Sequence, residues 1–500
     1  MKGFQLVYAL LLLPLFGPPL CFAQTPIILP QQAVVVSSHP LATEAGKLMM
    51  KRGGNAFDAA IAVAAVLAVV APYQNSLGAG AVWLLEDRRF VSTGHMTVIN
   101  ARERAPLSNP LATGNGLATA IPGEAAGIAY LALNYAKLSL RETLAPAIHL
   151  AEEGFIVDQP LVEHLSLHQE ALSQYPSTRD IFLPAGNVPI VGTLLKQPDL
   201  ANTFKRLAKE GQAGFYGRER GLSLVNENKK AGGTWSHEDL SAYQVSTSEP
   251  LTAAYHHLGI ATVPPGVGGG LRLLNALNLL NDFDWLELSD ADRKHLMIEA
   301  IKLSLCNRSV TGQERKEEWH KIISIKDANT SKMLGCVPFP IDSQTSNYLV
   351  LDQKGNRVAA TVVMNAPFGT GFVLPGTGIL LTKEVHDKKG LSAVLPTFVE
   401  TAQGAGLLTA RAGEDTLALV LLGILAAEKN ALPKTWLLTP RFYPRLFPER
   451  VYFEPDAFLA PLQHALSLRG HSLQALDKPQ GEMQVIFWNT KNGKVFDSTH

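Results

Sequence analysis

The chain has 500 residues, with 44 Lys and Arg balanced by 44 Asp and Glu, so its formal charge is zero. No basic block and no interleaving of aromatic with basic residues is present, which removes the electrostatic footprint of a nucleic-acid partner. Apolar residues make up 46 % of the chain, enough for a large core, and the length allows up to three folding units of ordinary size.

Residues 1–23 carry Lys2, an apolar run from Leu6 to Phe16 broken by Pro14, then Gly17-Pro18-Pro19 and a small residue at Ala23. A membrane-spanning helix needs about 20 apolar residues, so this reads as a secretory signal and not as a stable anchor. Cys21 follows Pro19-Leu20, which is a poor lipidation context. The expected location is secreted or periplasmic. Of the three cysteines, Cys21 would leave with the signal, and Cys306 and Cys336 would remain as a pair, bridged or as two buried thiols.

After Gly53-Gly54-Asn55, residues 59–71 are all Ala, Val, Leu or Ile, a run too short to span a bilayer and therefore a helix buried on every side. Gly78-Ala79-Gly80-Ala81 lacks the Lys-Ser/Thr of a phosphate loop and reads as close backbone packing. Pro264 to Gly270 lacks it too and reads as a turn into a helix. His164 and His168 share one helix face, but Leu165 stands where a metalloprotease needs Glu, so a solvated or satisfied pair is expected. His256-His257, on a strand-like stretch, face opposite ways and receive no role. No metal, nucleotide or flavin site is evident, and no cofactor is expected. Helical patterns dominate residues 40–310 and β-branched patterns cluster after 345, with no linker and no repeat, which implies one interwoven unit of mixed α and β layers.

At Gln344-Thr345 a polar stretch gives way to the apolar Tyr348-Leu349-Val350-Leu351. A threonine at such a point is either an ordinary strand opener or a residue before which the chain is cut. In the second case its new α-amine, with a pKa of about 7.7 to 8.0, serves as base to its own hydroxyl. Residues 346–351 and 358–364 form a hairpin around Asp352–Asn356, centred between Lys354 and Gly355. Thr345 is then opposite about residue 364, with Asn365 beside it. Glu384 and Asp387 follow the apolar 379–381 run, either as a solvated pair or as carboxylates suited to a substrate ammonium.

These segments resemble the γ-glutamyltransferase (glutathione hydrolase) family of N-terminal-nucleophile hydrolases. The likeness rests on Ser38-His39-Pro40-Leu41-Ala42, Gly53 to Ala60, Ala101-Arg102-Glu103-Arg104-Ala105-Pro106, Pro122-Gly123-Glu124 and Leu144 to Ile148. It continues in Glu238-Asp239-Leu240 and in the Thr345 hairpin through Leu381. The resemblance implies an α+β fold, a four-layer αββα sandwich, and self-cleavage at Gln344-Thr345 into residues 24–344 and 345–500. These two pieces would stay associated as one domain. It implies Thr345 as nucleophile and base, Arg102 at the donor α-carboxylate, and Asn365, Glu384 and Asp387 at the α-amino group, with glutathione or a related γ-glutamyl amide as substrate. Ser392-Ala393 stands where the family has Ser-Ser at the carboxylate, and Gly413-Glu414 matches its Gly-Gly oxyanion turn, with Arg411 expected to neutralise the glutamate. Val363 replaces a threonine that the family bonds to the nucleophile, and Ser346-Asn347 replaces Thr-His. Because these departures cluster on the donor site, two further readings stand beside the first: a related amidohydrolase or acylase, and an unprocessed, inactive binding or scaffold protein.

Overall fold

The computed structural model describes residues 27–89, 94–107, 118–281, 283, 287–305, 345–383, 393–429 and 432–498. The expected signal segment, Cys306, Cys336, Gln344, Glu384, Asp387 and Ser392 lie outside the described residues. No helix among those described is long and apolar enough to cross a membrane.

Fourteen strands matter to the site and its supports. They are β1 (Val34–Ser37), β2 (Gly80–Asp87), β3 (His95–Ala101), β4 (Ser246–Ser248), β5 (Leu251–Tyr255), β6 (Leu258–Thr262), β7 (Thr345–Leu351) and β8 (Arg357–Val363). The others are β9 (Thr397–Glu400), β10 (Gly404–Arg411), β11 (Phe442–Leu446), β12 (Glu449–Phe453), β13 (Glu482–Asn489) and β14 (Val495–Asp497). They build two antiparallel six-stranded sheets, in the orders β1-β7-β8-β2-β3-β4 and β14-β13-β10-β9-β6-β5, while β11 and β12 pair in a smaller sheet.

The period of two along each strand sorts side chains into layers. Leu349, Leu351, Ala359 and Val363 of the first sheet pack against Ala261, Phe398, Leu407 and Ile486 of the second. The alternate residues Tyr348, Val350, Ala360 and Val362 pack outward under helix α1 (Ala56–Val70). Leu408, Ala410 and Val485 pack outward under α2 (Gly270–Asn281), α3 (Asp290–Leu305) and α4 (Thr416–Glu428). Helix, sheet, sheet, helix is the αββα sandwich.

Every residue of α1 is buried, as the all-apolar run requires. Its start is set by a capping box: Asn55 Oδ1 accepts from the N–H of Phe57 at 2.8 Å and of Asp58 at 3.1 Å, and Asp58 Oδ2 accepts from the N–H of Asn55 at 2.7 Å. Asp352, in the hairpin turn, also accepts the Ala56 N–H at 3.0 Å, so the hairpin that opens on Thr345 is tied directly to the buried helix.

Strands do cluster from 345 onward, where β7 to β14 all lie, but β1 to β4 supply four of the six strands of the first sheet. Ala81 to Leu85 of β2 are buried on both faces, so they read as an unbroken apolar run without alternation. The hairpin register differs from the expected one, for Thr345 pairs with Val363 and Leu351 with Arg357. Asp352 N donates to Asn356 O at 3.1 Å and Asp352 Oδ1 accepts from the N–H of Lys354 and Asn356, so the turn is centred on Lys354. His256 likewise sits in the tight turn between β5 and β6 at φ +49°, not within a strand, and its Nδ1 lies 2.9 Å from Glu428 Oε1.

Candidate active site

Thr345 is the first residue of β7 and is fully buried. By alternation with Asn347 and Leu349, its side chain faces the second sheet. Its hydroxyl has no hydrogen-bond partner among the described residues, and its cross-strand neighbour on the same face is the apolar Val363. Asn347, two residues on, donates from Nδ2 to the Ala410 carbonyl at 2.8 Å, which brings the end of β10 over the start of β7.

The pairing Thr345–Val363–Gly80 runs across three strands, and Ala81 pairs with Ala101 of β3. Arg102 therefore comes next in the same row, beside Gly80. A Cβ on Gly80 would lie 2.8 Å from Arg102 Cα and 2.1 Å from Glu103 Oε2, so the close approach requires glycine there. Arg102 Nη2 donates to Glu103 Oε1 at 2.8 Å. Asn365, just beyond β8 at φ +63°, donates from Nδ2 to the same Glu103 Oε1 at 3.0 Å and to the Lys383 carbonyl at 3.2 Å. Arg102 Nε and Glu103 Oε2 are buried and have no hydrogen-bond partner among the described residues, leaving one donor and one acceptor open. Sequence reading assigned Arg102 and Asn365 but gave Glu103 no role, although it lies inside the quoted motif. The alternation rule could not show which way a residue just past a strand end would turn.

The turn after β10 runs through a short helical segment, Gly413–Asp415, into α4. Gly413 has φ +56°, a conformation that favours glycine. Ala412 N donates to Thr416 Oγ1 at 3.2 Å and Asp415 N to Ala412 O at 3.0 Å. Among the described residues no backbone acceptor takes the N–H of Gly413 or Glu414. Contrary to the expectation from sequence, Arg411 does not pair with Glu414; its Nη2 pairs with Glu482 at 3.2 Å. The partner is Arg445 of β11, whose Nε lies 2.8 Å from Glu414 Oε1 and whose Nη2 lies 2.6 Å from Asp415 Oδ2. Burial pushes both carboxyls upward, while Arg445 acts in the opposite sense.

Beneath the row, Glu124 is fully buried at the start of the helix Glu124–Asn134, whose first two N–H groups, of Gly123 and Glu124, go to Ala79 O. Burial raises its carboxyl well above the usual range, with the Asn75 amide acting weakly against the shift. Its two oxygens have no hydrogen-bond partner among the described residues.

His164 and His168 are only partly satisfied: His164 stacks on Tyr73 at 4.1 Å and His168 Nδ1 lies 2.8 Å from His164 O, while His164 Nδ1 is buried with no hydrogen-bond partner among the described residues. A separate buried group joins His295 and Glu299 of α3 to His471, with ligand atoms within 4.8 Å of one another. His295 Nδ1 and His471 Nε2 are 2.7 Å apart, and burial holds His471 down at about 2, so this ring is neutral. Lys302 Nζ, 3.3 Å from Glu299 and 3.0 Å from Glu449, already supplies the cation that such a carboxylate needs.

The chain is similar to known proteins along its length. Glutathione hydrolase proenzymes of Bacillus subtilis (strain 168) and Escherichia coli (strain K12) are 27 % and 28 % identical to the chain, covering 93 % and 91 % of it and 89 % and 88 % of their own lengths. A crystal structure of cephalosporin acylase from Bacillus halodurans superposes with a TM-score of 0.79 at 26 % identity and covers 97 % of both chains. The Gamma-glutamyltranspeptidase family model matches residues 42–498, and the chain belongs to that family.

Proposed function

We propose that the protein is a γ-glutamyl hydrolase or transferase that cuts its chain between Gln344 and Thr345 and then uses Thr345 as nucleophile. The observation that carries this reading is the row Thr345–Val363–Gly80–Arg102, with a buried unpartnered hydroxyl at one end and a guanidinium at the other. Three strand spacings of about 4.8 Å separate the two backbones, a gap that an arginine side chain and a glutamyl group fill together.

In this site the open Arg102 Nε takes the donor α-carboxylate, in keeping with the planar fork of arginine. Glu103 Oε2 and Asn365 take the α-ammonium, together with Glu384 and Asp387, while Ser392 reaches the carboxylate. The Thr345 hydroxyl attacks the γ-carbonyl and gives its proton to the α-amine freed by cleavage. The amide nitrogen leaves with that proton. Water or an amine acceptor then opens the ester and restores the hydroxyl. The N–H groups of Gly413 and Glu414 stabilise the oxyanion, a task that needs no side chain. Glutathione is a suitable donor, because its γ-linked end offers both charges that the site reads. Export, with removal of residues 1–23, is part of the same reading.

A second reading, an acylase acting on another amide, is favoured by the full-length likeness to the Bacillus halodurans acylase and by Val363 and Glu414 at the departures. Intact mass and a chromogenic γ-glutamyl anilide separate the readings. Fragments 24–344 and 345–500 with anilide turnover, both lost in Thr345→Ala, are expected. Cleavage without anilide turnover supports the acylase reading. A single uncut, folded and inert chain defeats both and leaves the scaffold reading.

A further inference from the structure

Glu414 stands where the family has the second glycine of its oxyanion turn, and the fold answers it and its neighbour Asp415 with one side chain. Arg445 reaches from β11, an element outside both large sheets, and touches two adjacent acidic residues. It grips Asp415 with both arms, Nε to Oδ1 at 3.2 Å and Nη2 to Oδ2 at 2.6 Å, the fork geometry that gives arginine pairs their directional strength. The same Nε lies 2.8 Å from Glu414 Oε1. The guanidinium is itself held, lying 4.7 Å from the centre of the Tyr452 ring on β12. Asp415 is 4 % exposed and Glu414 about a third, so neither charge is quenched by water alone.

We infer that Arg445 is a positioning residue for acyl transfer: by holding Glu414 and Asp415 it fixes the Gly413–Asp415 turn and draws both carboxylates away from the oxyanion. This rests on the function proposed above. A glutamate next to a developing negative charge raises the barrier unless its own charge is turned aside and compensated. Among the described residues no acceptor takes the N–H of Gly413 or Glu414, so the backbone of a residue that Arg445 restrains is also one of the two proposed donors. Three residues earlier, the Ala410 carbonyl accepts from Asn347 at 2.8 Å, which fixes the same stretch to the strand that opens on Thr345. The turn is thus anchored on one side to β7 and on the other to Arg445.

The test compares Arg445→Met, Arg445→Lys and the double variant Arg445→Met with Glu414→Gly against the wild type, on a γ-glutamyl anilide. Thermal melting of each checks folding. Arg445→Met is expected to lower kcat by on the order of 100-fold, the scale of losing one oxyanion donor, with KM changed by less than about threefold. Removing the glutamate in that background is expected to restore about tenfold, since the uncompensated charge goes with it. Arg445→Lys keeps the charge and loses the fork, and an intermediate kcat is expected. A folded Arg445→Met enzyme with wild-type kcat, or a loss that falls only on KM, overturns the inference. So does a loss in Arg445→Met that the glycine leaves unrelieved. If Arg445→Met does not fold, Arg445→Lys decides: a lowered kcat with KM held supports the role, and wild-type kcat refutes it. An inert wild type is a different failure, that of the proposed function, and the inference falls with it.

Discussion

At the scale of single residues, the proposed acyl-transfer site differs from the family in the neighbours of its nucleophile. Val363 is the plainest case. It is buried on the inter-sheet face directly across from Thr345, and it offers only methyl groups to a hydroxyl that has no partner among the described residues. Val363→Thr would place a hydroxyl there with little change of volume. A hydrogen bond of this kind contributes about 0.5 to 1.5 kcal/mol net, so self-cleavage is expected to quicken by roughly three- to tenfold. Appearance of the 345–500 fragment over time, followed by mass, checks this. An unchanged rate would show that Val363 does not limit maturation. Glu103 teaches the converse lesson, for its neighbour Arg102 was legible from its motif whereas its own open carboxylate oxygen emerged only from the packing around Gly80.

At the scale of elements, the first turn of the helix Glu124–Asn134 carries a buried acid whose pKa burial raises. Glu124 is fully buried, and burial raises its carboxyl well above the ordinary range for a glutamate, with the Asn75 side chain acting in the opposite sense. In the unfolded chain the same group ionises at about 4.3. For an acid whose folded pKa is raised, the folded state binds more protons than the unfolded state between the two values. Stability is then fully present below the unfolded pKa and is lost as pH rises toward the folded one. The slope in that window approaches about 1.4 kcal/mol per pH unit. Melting temperatures from pH 4.5 to 8 are expected to fall less steeply in Glu124→Gln than in the wild type. Parallel curves would mean that Glu124 is already ionised in the fold. The hairpin β7-β8 makes a related point about elements: its existence follows from the apolar runs flanking Asp352–Asn356, but its exact pairing follows from how Asp352 closes the turn and caps α1.

At the scale of the whole molecule, the two sides of the Gln344-Thr345 bond are woven into the same sheets. Strand β1 pairs with β7, β2 with β8 and β6 with β9, so residues before 344 and after 345 share three strand interfaces and the core between the sheets. Cleavage would open one peptide bond and leave every one of these pairings in place. The cut protein is expected to elute as a single particle in native buffer and to separate into its two fragments only in strong denaturant. Separation in native buffer would contradict the interweaving. The sequence by itself determined the buried helix α1, the turn before α2, the hairpin that opens on Thr345 and the family. The first three depend on local periodicity, caps and turn residues, which are written in neighbouring positions, and the family on a resemblance of ordered motifs. Tertiary structure decided the rest: that β2 and β3 are strands, that Thr345 faces Val363, that Glu103 stands open beside Arg102, and that Arg445 rather than Arg411 holds Glu414. Strands buried on both faces lose their alternation, and contacts between residues tens to hundreds of positions apart leave no periodic trace, so only the folded chain could bring those groups together.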